Sequence, residues 1–248
     1  MIKIIFCALN EAQNLTNLLK SIDNEMLIVQ HDYEIIICLD GSDDESFEIL
    51  SNLQSKYPVK ILPLLNQRGL GLAYKRLFLN VLTNSNDDDI IISLDADNTH
   101  NPNQIQTMIK HLKNNDLDVL IASRFCKNSV MADFPIYRKF ISSSISVLFQ
   151  ILFALRTISG NKLKDFTSGY RLYKAKKLRE LLKKEGNNLI TEPEFTYTCE
   201  LLIKLSRIEA KFDEISISYD YGKKIGASKL RIGRNFWRLI ILLFKLAK

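Results

Sequence analysis

Short apolar runs alternate with amphipathic stretches through the first half of the chain. Residues 90–94 hold three consecutive isoleucines and a leucine, which is typical of a buried parallel strand. Similar runs predict four more strands, at residues 2–8, 34–39, 59–65 and 118–123. The stretches between them space their apolar residues as helices do. This alternation predicts an α/β fold with a mostly parallel central sheet flanked by helices.

The pattern changes after the fifth predicted strand. A long helical stretch follows at 135–158 and is nearly all apolar in its second half. Gln150 and Arg156 interrupt it, so it falls short of the roughly 20 apolar residues that a membrane span needs. Residues 194–206 predict another helix, and residues 212–219 alternate like a strand.

The C-terminal residues carry most of the excess positive charge. The formal net charge is +6, yet residues 221–248 hold eight basic side chains and no acid, while the other 26 basic residues face 28 acidic ones. Apolar residues around Trp237 complete a basic amphipathic helix at 229–248, appended to one large domain at 1–228. Such a tail either meets an anionic partner, namely a phosphate, a membrane surface or a nucleic acid, or is simply solvated.

The cysteines indicate a reducing environment. Their positions show no spacing typical of metal ligands, and Cys7 and Cys38 lie within apolar runs, as reduced core residues do. The chain begins directly with a strand rather than with a signal peptide. We therefore expect a cytoplasmic location.

Two carboxylates follow the strand at 90–94. Asp95 and Asp97 lie at its carboxyl end, which is where open α/β sheets bind ligands. Because the chain turns there, both side chains can face one hard cation, and carboxylates suit Mg²⁺ or Mn²⁺. The alternative is that these acids only cap a helix near Pro102.

Eight short motifs occur in a characteristic order. They are ALNE at 8–11, DGSD at 40–43, RGLGLA at 68–73, DAD at 95–97, SRF at 123–125, YRK at 137–139, DFTSGYR at 165–171 and GASK at 226–229. With this set the chain resembles family 2 glycosyltransferases of the GT-A fold, which is Rossmann-like. Among these it is most similar to the dolichyl-phosphate mannose synthase and polyprenyl-phosphate glycosyltransferase group. The resemblance covers nearly the whole chain and makes residues 1–228 the catalytic domain.

The resemblance implies a nucleotide-sugar donor, a GDP- or UDP-sugar, and a divalent metal. The residues expected to bind this donor are Asn10, Glu11, Asp40, Asp43, Arg68, Gly69, Ala73, Asp95 and Ala96. Asp95 and Asp97 would hold Mg²⁺ or Mn²⁺ on the diphosphate. Thr99 stands where relatives more often have a glutamine, so we leave it out of the metal site. For Glu11 and Asp43 the alternative role is helix capping.

The resemblance also implies two arginines at an acceptor phosphate. Arg124 and Arg138 would bind it, since guanidinium groups bind phosphate bidentately, and Ser142 lies one helical turn after Arg138. The alternatives are a structural ion pair for Arg124 and a solvated position for Arg138. Asp165 resembles the acid near the acceptor, which serves as a general base for saccharides but only orients groups when the acceptor is an ionised phosphate.

A basic loop near the end completes the resemblance. Relatives carry an arginine that closes over the diphosphate, and Lys223 stands at that position here. Lysine keeps the charge but not the fork of donors. Ser228 and Lys229 match the family motif and extend the donor site. His100 lies near the two aspartates, and we interpret it as a polar loop residue.

Taken together, the expected reaction is inverting, metal-dependent sugar transfer to a polyprenyl phosphate. Asp97, Asp165, Arg124 and Arg138 are the expected catalytic residues. One alternative is a soluble family 2 enzyme that acts on a saccharide acceptor, and another is a non-catalytic nucleotide-binding protein. Nucleic acid is not an expected partner. We expect contact with the cytoplasmic face of a membrane, through residues 229–248 or a separate membrane subunit, although that helix could instead pack on protein.

Overall fold

A computed structural model describes residues 1–63, 68–226 and 232–246. Within the last of these ranges, the described side chains are those of residues 238, 239 and 241–246. The predicted helix and site residues at 227–231, which include Ser228 and Lys229, lie outside the described residues, as do residues 64–65 of the predicted third strand.

Strands and helices alternate as the apolar pattern predicts. The strands are β1 Ile2–Ala8, β2 Tyr33–Leu39, β3 Val59–Pro63, β4 Ile90–Ser93, β5 Val119–Ser123, β6 Val130–Ala132, β7 Arg171–Lys174, β8 Phe212–Ser216 and β9 Ser218–Asp220. The helices are α1 Ala12–Val29, α2 Ser46–Leu53, α3 Leu70–Thr83, α4 Ile105–Asn114, α5 Ile136–Phe153, α6 Ala175–Glu185, α7 Tyr197–Ser206 and α8 Ile232–Leu246. Short 3₁₀ turns lie at Pro102–Gln104, Gly186–Asn188 and Tyr221–Lys223.

The described part of the chain builds a central sheet of seven strands in the order β3-β2-β1-β4-β7-β5-β8. Strand β1 runs parallel to β2 and β4, and the pairs β2–β3 and β5–β8 are also parallel. Strand β7 lies between β4 and β5 and runs antiparallel to both. The predicted α/β fold with a mostly parallel sheet is therefore confirmed.

Apolar side chains fill both faces of this sheet. One cluster of buried residues joins it to α3, α6 and α7, and the other joins it to α1, α2 and α4. Burial on both faces explains why β4 is isoleucine-rich without alternation, since a strand covered on both sides has no solvated face.

The alternating segment predicted at 212–219 forms two strands rather than one. β8 stays in the central sheet, whereas β9 pairs with β6 in a separate two-stranded sheet. Ile217 lies between them and is buried. Between β8 and β9 the chain leaves the edge of the central sheet and approaches the end of β4. There the β9 residue Tyr219 forms an isolated β-bridge with His100.

Helix α8 packs part of its apolar side on the domain. Leu239, Leu242 and Leu246 are buried at helical spacing. The Lys245 Nζ donates to the Thr191 hydroxyl at 2.6 Å. These contacts favour the alternative in which this helix packs on protein, although Ile241 and Phe244 remain exposed.

Helix α5 presents an apolar face to solvent. Its Ser146 and Phe149 are buried, and Phe149 packs against Phe166 with ring centroids 5.6 Å apart. The exposed apolar residues on α5 are Ile136, Tyr137, Phe140, Ile141, Val147, Leu148, Ile151 and Leu152. Among the described helices, α5 is the one whose length and composition would allow it to cross a membrane. One face of α5 packs on the domain, and the other is exposed to solvent.

Candidate functional site

The candidate site lies at the carboxyl ends of β1, β2 and β4. These three strands are neighbours and parallel, so the segments that follow them meet at one edge of the sheet. They carry Asn10 and Glu11, Asp40, and the pair Asp95 and Asp97. The fold therefore brings these residues, which were predicted to bind the nucleotide sugar or its metal, together at one edge of the sheet.

Asp97 is held by two partners. Its Oδ1 accepts a hydrogen bond from the Thr99 hydroxyl at 2.6 Å, and its Oδ2 accepts one from the Lys224 ammonium group. Burial alone would raise the pKa of Asp97, but the positive charge of Lys224 outweighs it and the net direction is down. Asp97 is therefore ionised at neutral pH and already binds a cation.

Asp95 stands beside it at the mouth of the site. Its side chain is 36% exposed. Desolvation raises the pKa of Asp95, and the negative charge of Asp97 adds to the rise while His100 opposes it. Asp95 and Asp97 are thus neighbouring carboxylates whose pKa values are shifted in opposite directions.

His100 is a buried support rather than the polar loop residue expected from the sequence. Its Nδ1 accepts a hydrogen bond from the Asp95 backbone N–H at 3.0 Å, and its ring stacks on Tyr170 at 5.1 Å between centroids. Burial lowers the pKa of His100, which favours the neutral ring. His100 therefore fixes the turn that presents Asp95.

The carboxylate oxygens at this edge of the sheet suit a hard cation. No cluster of three or more His, Cys, Asp or Glu side chains arranged for a metal ion occurs within residues 1–63, 68–226 and 232–246. Asp95 and Asp97 would hold Mg²⁺ or Mn²⁺ together with waters and ligand oxygens, as sites that share a diphosphate do. The contact between Lys224 and Asp97 already shows that this carboxylate can bind positive charge.

Asp40 anchors the loop that opens α3. Both of its oxygens accept from the Gly69 N–H, at 2.9 and 3.1 Å, and Arg68 donates to the Gly41 carbonyl. Burial raises the pKa of Asp40. Ala73 follows in the first turn of α3, where it is buried in the core.

A distant segment crosses this same helix start. A Cβ on Gly71 would lie 1.9 Å from the Glu192 carbonyl oxygen, and one on Gly69 would lie 2.5 Å from that of Pro193. The Gly71 N–H donates to the Pro193 carbonyl at 2.9 Å. The glycines of the RGLGLA motif thus make room for backbone of this chain, which the sequence alone did not reveal.

Asn10 and Asp43 join the loops after β1 and β2. The Asn10 side-chain amide donates to Asp43 at 2.5 Å, and the Asp43 N–H donates back to Asn10 at 3.0 Å. Glu11 accepts from the Asn14 side chain at 2.6 Å. These residues, which were predicted to bind the nucleotide sugar, contact one another at the rim of the site.

Arg124 and Asp165 form a buried ion pair at the end of β5. The Asp165 oxygens accept from the Arg124 guanidinium and from the backbone N–H groups of Arg124, Thr167 and Ser168. Burial alone would raise the pKa of Asp165, but the charge and hydrogen bonds of Arg124 lower it overall. The ion pair considered for Arg124 is thus present, and it favours the ionised form of Asp165.

Arg138 lies at the start of α5, next to the loop that carries Lys224. Its guanidinium lies over the Tyr221 ring, 5.5 Å from the centroid. Ser142 is half-buried one turn further along α5. The segment 221–224 therefore contacts Arg138 at one end and Asp97 at the other.

Lys224, rather than Lys223, contacts Asp97. Lys223 is exposed at the end of the 3₁₀ turn Tyr221–Lys223. Counting back from Gly226 selects Lys223, but the turn that follows Asp220 decides which of two adjacent lysines reaches Asp97. Sequence reasoning also missed Thr99 as a partner of Asp97 and Tyr221 as a partner of Arg138.

Comparison with known proteins identifies relatives over the whole chain. The family model described as Glycosyl transferase family 2 matches residues 3–182. A dolichol-phosphate mannosyltransferase of Pyrococcus furiosus is 30% identical over 249 residues, covering 100% of this chain and 64% of that protein. An undecaprenyl-phosphate mannosyltransferase of Micrococcus luteus is 26% identical over 201 residues, covering 81% of this chain and 76% of that protein. The chain thus spans less than two thirds of the Pyrococcus relative.

A solved structure shares the fold at lower identity. Glucosyl-3-phosphoglycerate synthase from Mycobacterium tuberculosis, in complex with Mn²⁺ and UDP-glucose, superposes with a TM-score of 0.69 at 16% identity. The match covers 100% of this chain and 79% of that one. The seven-stranded sheet with its helical layers therefore has the same fold as that synthase.

Proposed function

Because the chain belongs to glycosyl transferase family 2, we propose that it transfers a sugar from a GDP- or UDP-sugar to a polyprenyl phosphate. The relatives from Pyrococcus furiosus and Micrococcus luteus are named for dolichol phosphate and undecaprenyl phosphate, which supports this acceptor class. The observation that best supports this proposal is that segment 221–224 contacts both Asp97, the proposed metal ligand, and Arg138, the proposed phosphate ligand. A single displacement at the anomeric carbon would invert its configuration.

Asp95 and Asp97 would hold Mg²⁺ or Mn²⁺ in this reaction. The metal supplies positive charge against the diphosphate as that group departs. Thr99 fixes one oxygen of Asp97, and His100 fixes the turn at Asp95, so both carboxylates are oriented in advance. The mycobacterial synthase of the same fold was crystallised with Mn²⁺ and UDP-glucose, which supports a divalent ion of this kind.

On the acceptor side, the proposed reaction needs residues that position the phosphate and does not need a general base. A phosphate acceptor is already ionised at neutral pH, so no side chain has to remove its proton. Asp165 holds the Arg124 guanidinium at the end of β5, and Arg138 lies at the start of α5. Two guanidinium groups suit a phosphate because each can donate two parallel hydrogen bonds.

The open face of α5 would bring the enzyme to its lipid. An amphipathic helix with one apolar face lies in the plane of a membrane interface. The open face begins at Ile136 and Phe140, beside Arg138, so a lipid headgroup and the arginine would meet at the same depth. This supports peripheral contact with the cytoplasmic face of a membrane through α5.

Extraction into organic solvent tests the proposal. The protein is incubated with labelled GDP- and UDP-sugars, with or without polyprenyl phosphate, and with Mn²⁺ or excess chelator. Label is expected in the organic phase only when polyprenyl phosphate and metal are both present, and the Asp97→Asn variant should transfer none. Label that appears on an added water-soluble saccharide would instead identify a saccharide acceptor. Nucleotide binding without any transfer would identify a non-catalytic protein.

A further inference from the structure

We propose that Lys224 competes with the divalent cation for Asp97, so that metal binding releases this lysine to the donor diphosphate. The inference rests on the proposed function, because it needs the metal site at Asp95 and Asp97. It assigns Lys224 a role in positioning the donor that the sequence pattern gave to Lys223.

The competing contact is direct and shielded. Lys224 Nζ binds Asp97 Oδ2, and the side chains of Lys224 and Asp97 are 15% and 11% exposed. The other oxygen of Asp97 is taken by the Thr99 hydroxyl at 2.6 Å. A cation that needs Oδ2 therefore has to replace the ammonium group there.

Charge balance opposes keeping both cations on one carboxylate. Asp95 and Asp97 together offset a dication, and an ammonium group on the same oxygen would leave an excess positive charge within a few ångströms. Repulsion at such distances is strong where water is largely excluded. The lysine and the metal are thus expected to exclude each other at Asp97, and the stability of the ion pair lowers the apparent affinity for metal.

The segment that carries Lys224 is anchored after the lysine by one hydrogen bond and is followed by a glycine at a turn. Asn14 donates to the Ile225 carbonyl at 3.2 Å, while Gly226 follows with a positive φ of 96°. A glycine at such a φ lets the chain turn without strain. With the metal on Asp97, the ammonium group of Lys224 would be free to pair with the phosphate oxygens of a bound donor. It would then exchange a carboxylate partner for a phosphate partner.

Manganese binding without nucleotide tests the competition. Free Mn²⁺ is measured by its electron paramagnetic resonance signal in titrations of the full chain and of Lys224→Met, Lys224→Arg, Lys223→Met and Asp97→Asn. Lys224→Met is expected to bind Mn²⁺ about tenfold more tightly than the unmodified protein, because the competing state is removed. Lys223→Met should match the unmodified protein, Lys224→Arg should retain the weaker affinity, and circular dichroism checks that each variant is folded.

A second titration tests where the lysine goes. With saturating Mn²⁺, Lys224→Met should bind GDP and UDP more weakly than the unmodified protein, whereas Lys223→Met should not. Equal Mn²⁺ affinity in the Lys224→Met variant and the unmodified protein, abolished in Asp97→Asn, would overturn the competition and leave the proposed metal site intact. Absence of Mn²⁺ binding in every variant, with and without nucleotide, would overturn the metal site and the competition together.

Discussion

The Arg124 guanidinium binds Asp165 through two hydrogen bonds, with Nη2 2.7 Å from Oδ1 and Nε 2.9 Å from Oδ2. The carboxylate is fully buried, and the arginine side chain is nearly so. The pair joins the end of β5 to the turn that leads into β7. The pair therefore ties two neighbouring strands of the sheet together, next to the proposed acceptor side of the site.

Removal of one partner from this pair is expected to be costly. Arg124→Ala would leave the Asp165 carboxylate buried without its counter-charge, which typically costs about 3–5 kcal/mol of unfolding free energy. Urea unfolding measures the loss. As a control, Lys177→Ala on α6 removes an ion pair with the exposed Glu180 and should cost no more than about 1 kcal/mol. Similar losses in both variants would contradict the importance of the buried pair.

The same pair predicts a loss of stability in acid. Arg124 lowers the pKa of Asp165 below its ordinary value of about 3.9. A lowered pKa in the folded state stabilises the protein fully above the unfolded value, and that contribution is lost as the pH falls through the folded one. Urea unfolding at pH 6 and below pH 4 should therefore show a smaller acid-induced drop in Asp165→Asn than in the unmodified protein. Equal drops would show that Asp165 does not drive the effect.

Arg138 is expected to affect the acceptor far more than the donor. Arg138→Ala would remove the proposed charge-assisted hydrogen bonds to the lipid phosphate, and the KM for polyprenyl phosphate should rise about 10- to 100-fold. The Kd for the sugar nucleotide, measured by calorimetry, should stay nearly constant. The neighbouring Lys139→Ala is the matched control, since Lys139 is an exposed cation on the same turn. A collapse of nucleotide affinity in Arg138→Ala would place this arginine in the donor site.

Two phenylalanines distinguish the helices that could touch a membrane. Phe140 on α5 and Phe244 on α8 are 70% and 74% exposed, so both can be replaced without opening the core. If α5 is the docking face, Phe140→Asp should abolish flotation with anionic vesicles, while Phe244→Asp should float like the unmodified protein. The reverse result would return the contact to the C-terminal helix, as its basic sequence first indicated.

The fold could be predicted from the sequence to the extent that local pattern decides it. Isoleucine-rich runs identified β4 and its neighbours because a strand buried on both faces is apolar along its whole length. The apolar run of α8 was ambiguous, since a leucine stripe can face a membrane or a protein core. Only packing shows that Leu242 is buried. Tertiary contacts, rather than periodicity, decide such cases.

The placement of the candidate site residues was predictable where a motif ends a strand, and less so where a loop conformation decides it. Asp95 and Asp97 follow directly from the strand before them. The choice between Lys223 and Lys224 depends on the 3₁₀ turn after Asp220, which leaves the first lysine exposed and brings the second to Asp97. Two adjacent residues of one type carry no signal that distinguishes them.

The antiparallel strand β7 sets the order in which the molecule can be completed during synthesis. It fills the gap between β4, which ends at Ser93, and β5, yet it begins only at Arg171. Until that residue has left the ribosome, β4 and β5 each keep an unpaired edge toward the other. Such edges recruit strands from other chains, and pairing across a long sequence separation is slow. The two halves of the sheet are thus joined by one four-residue strand. In nascent chains that stop before this strand, the sheet stays divided between β4 and β5.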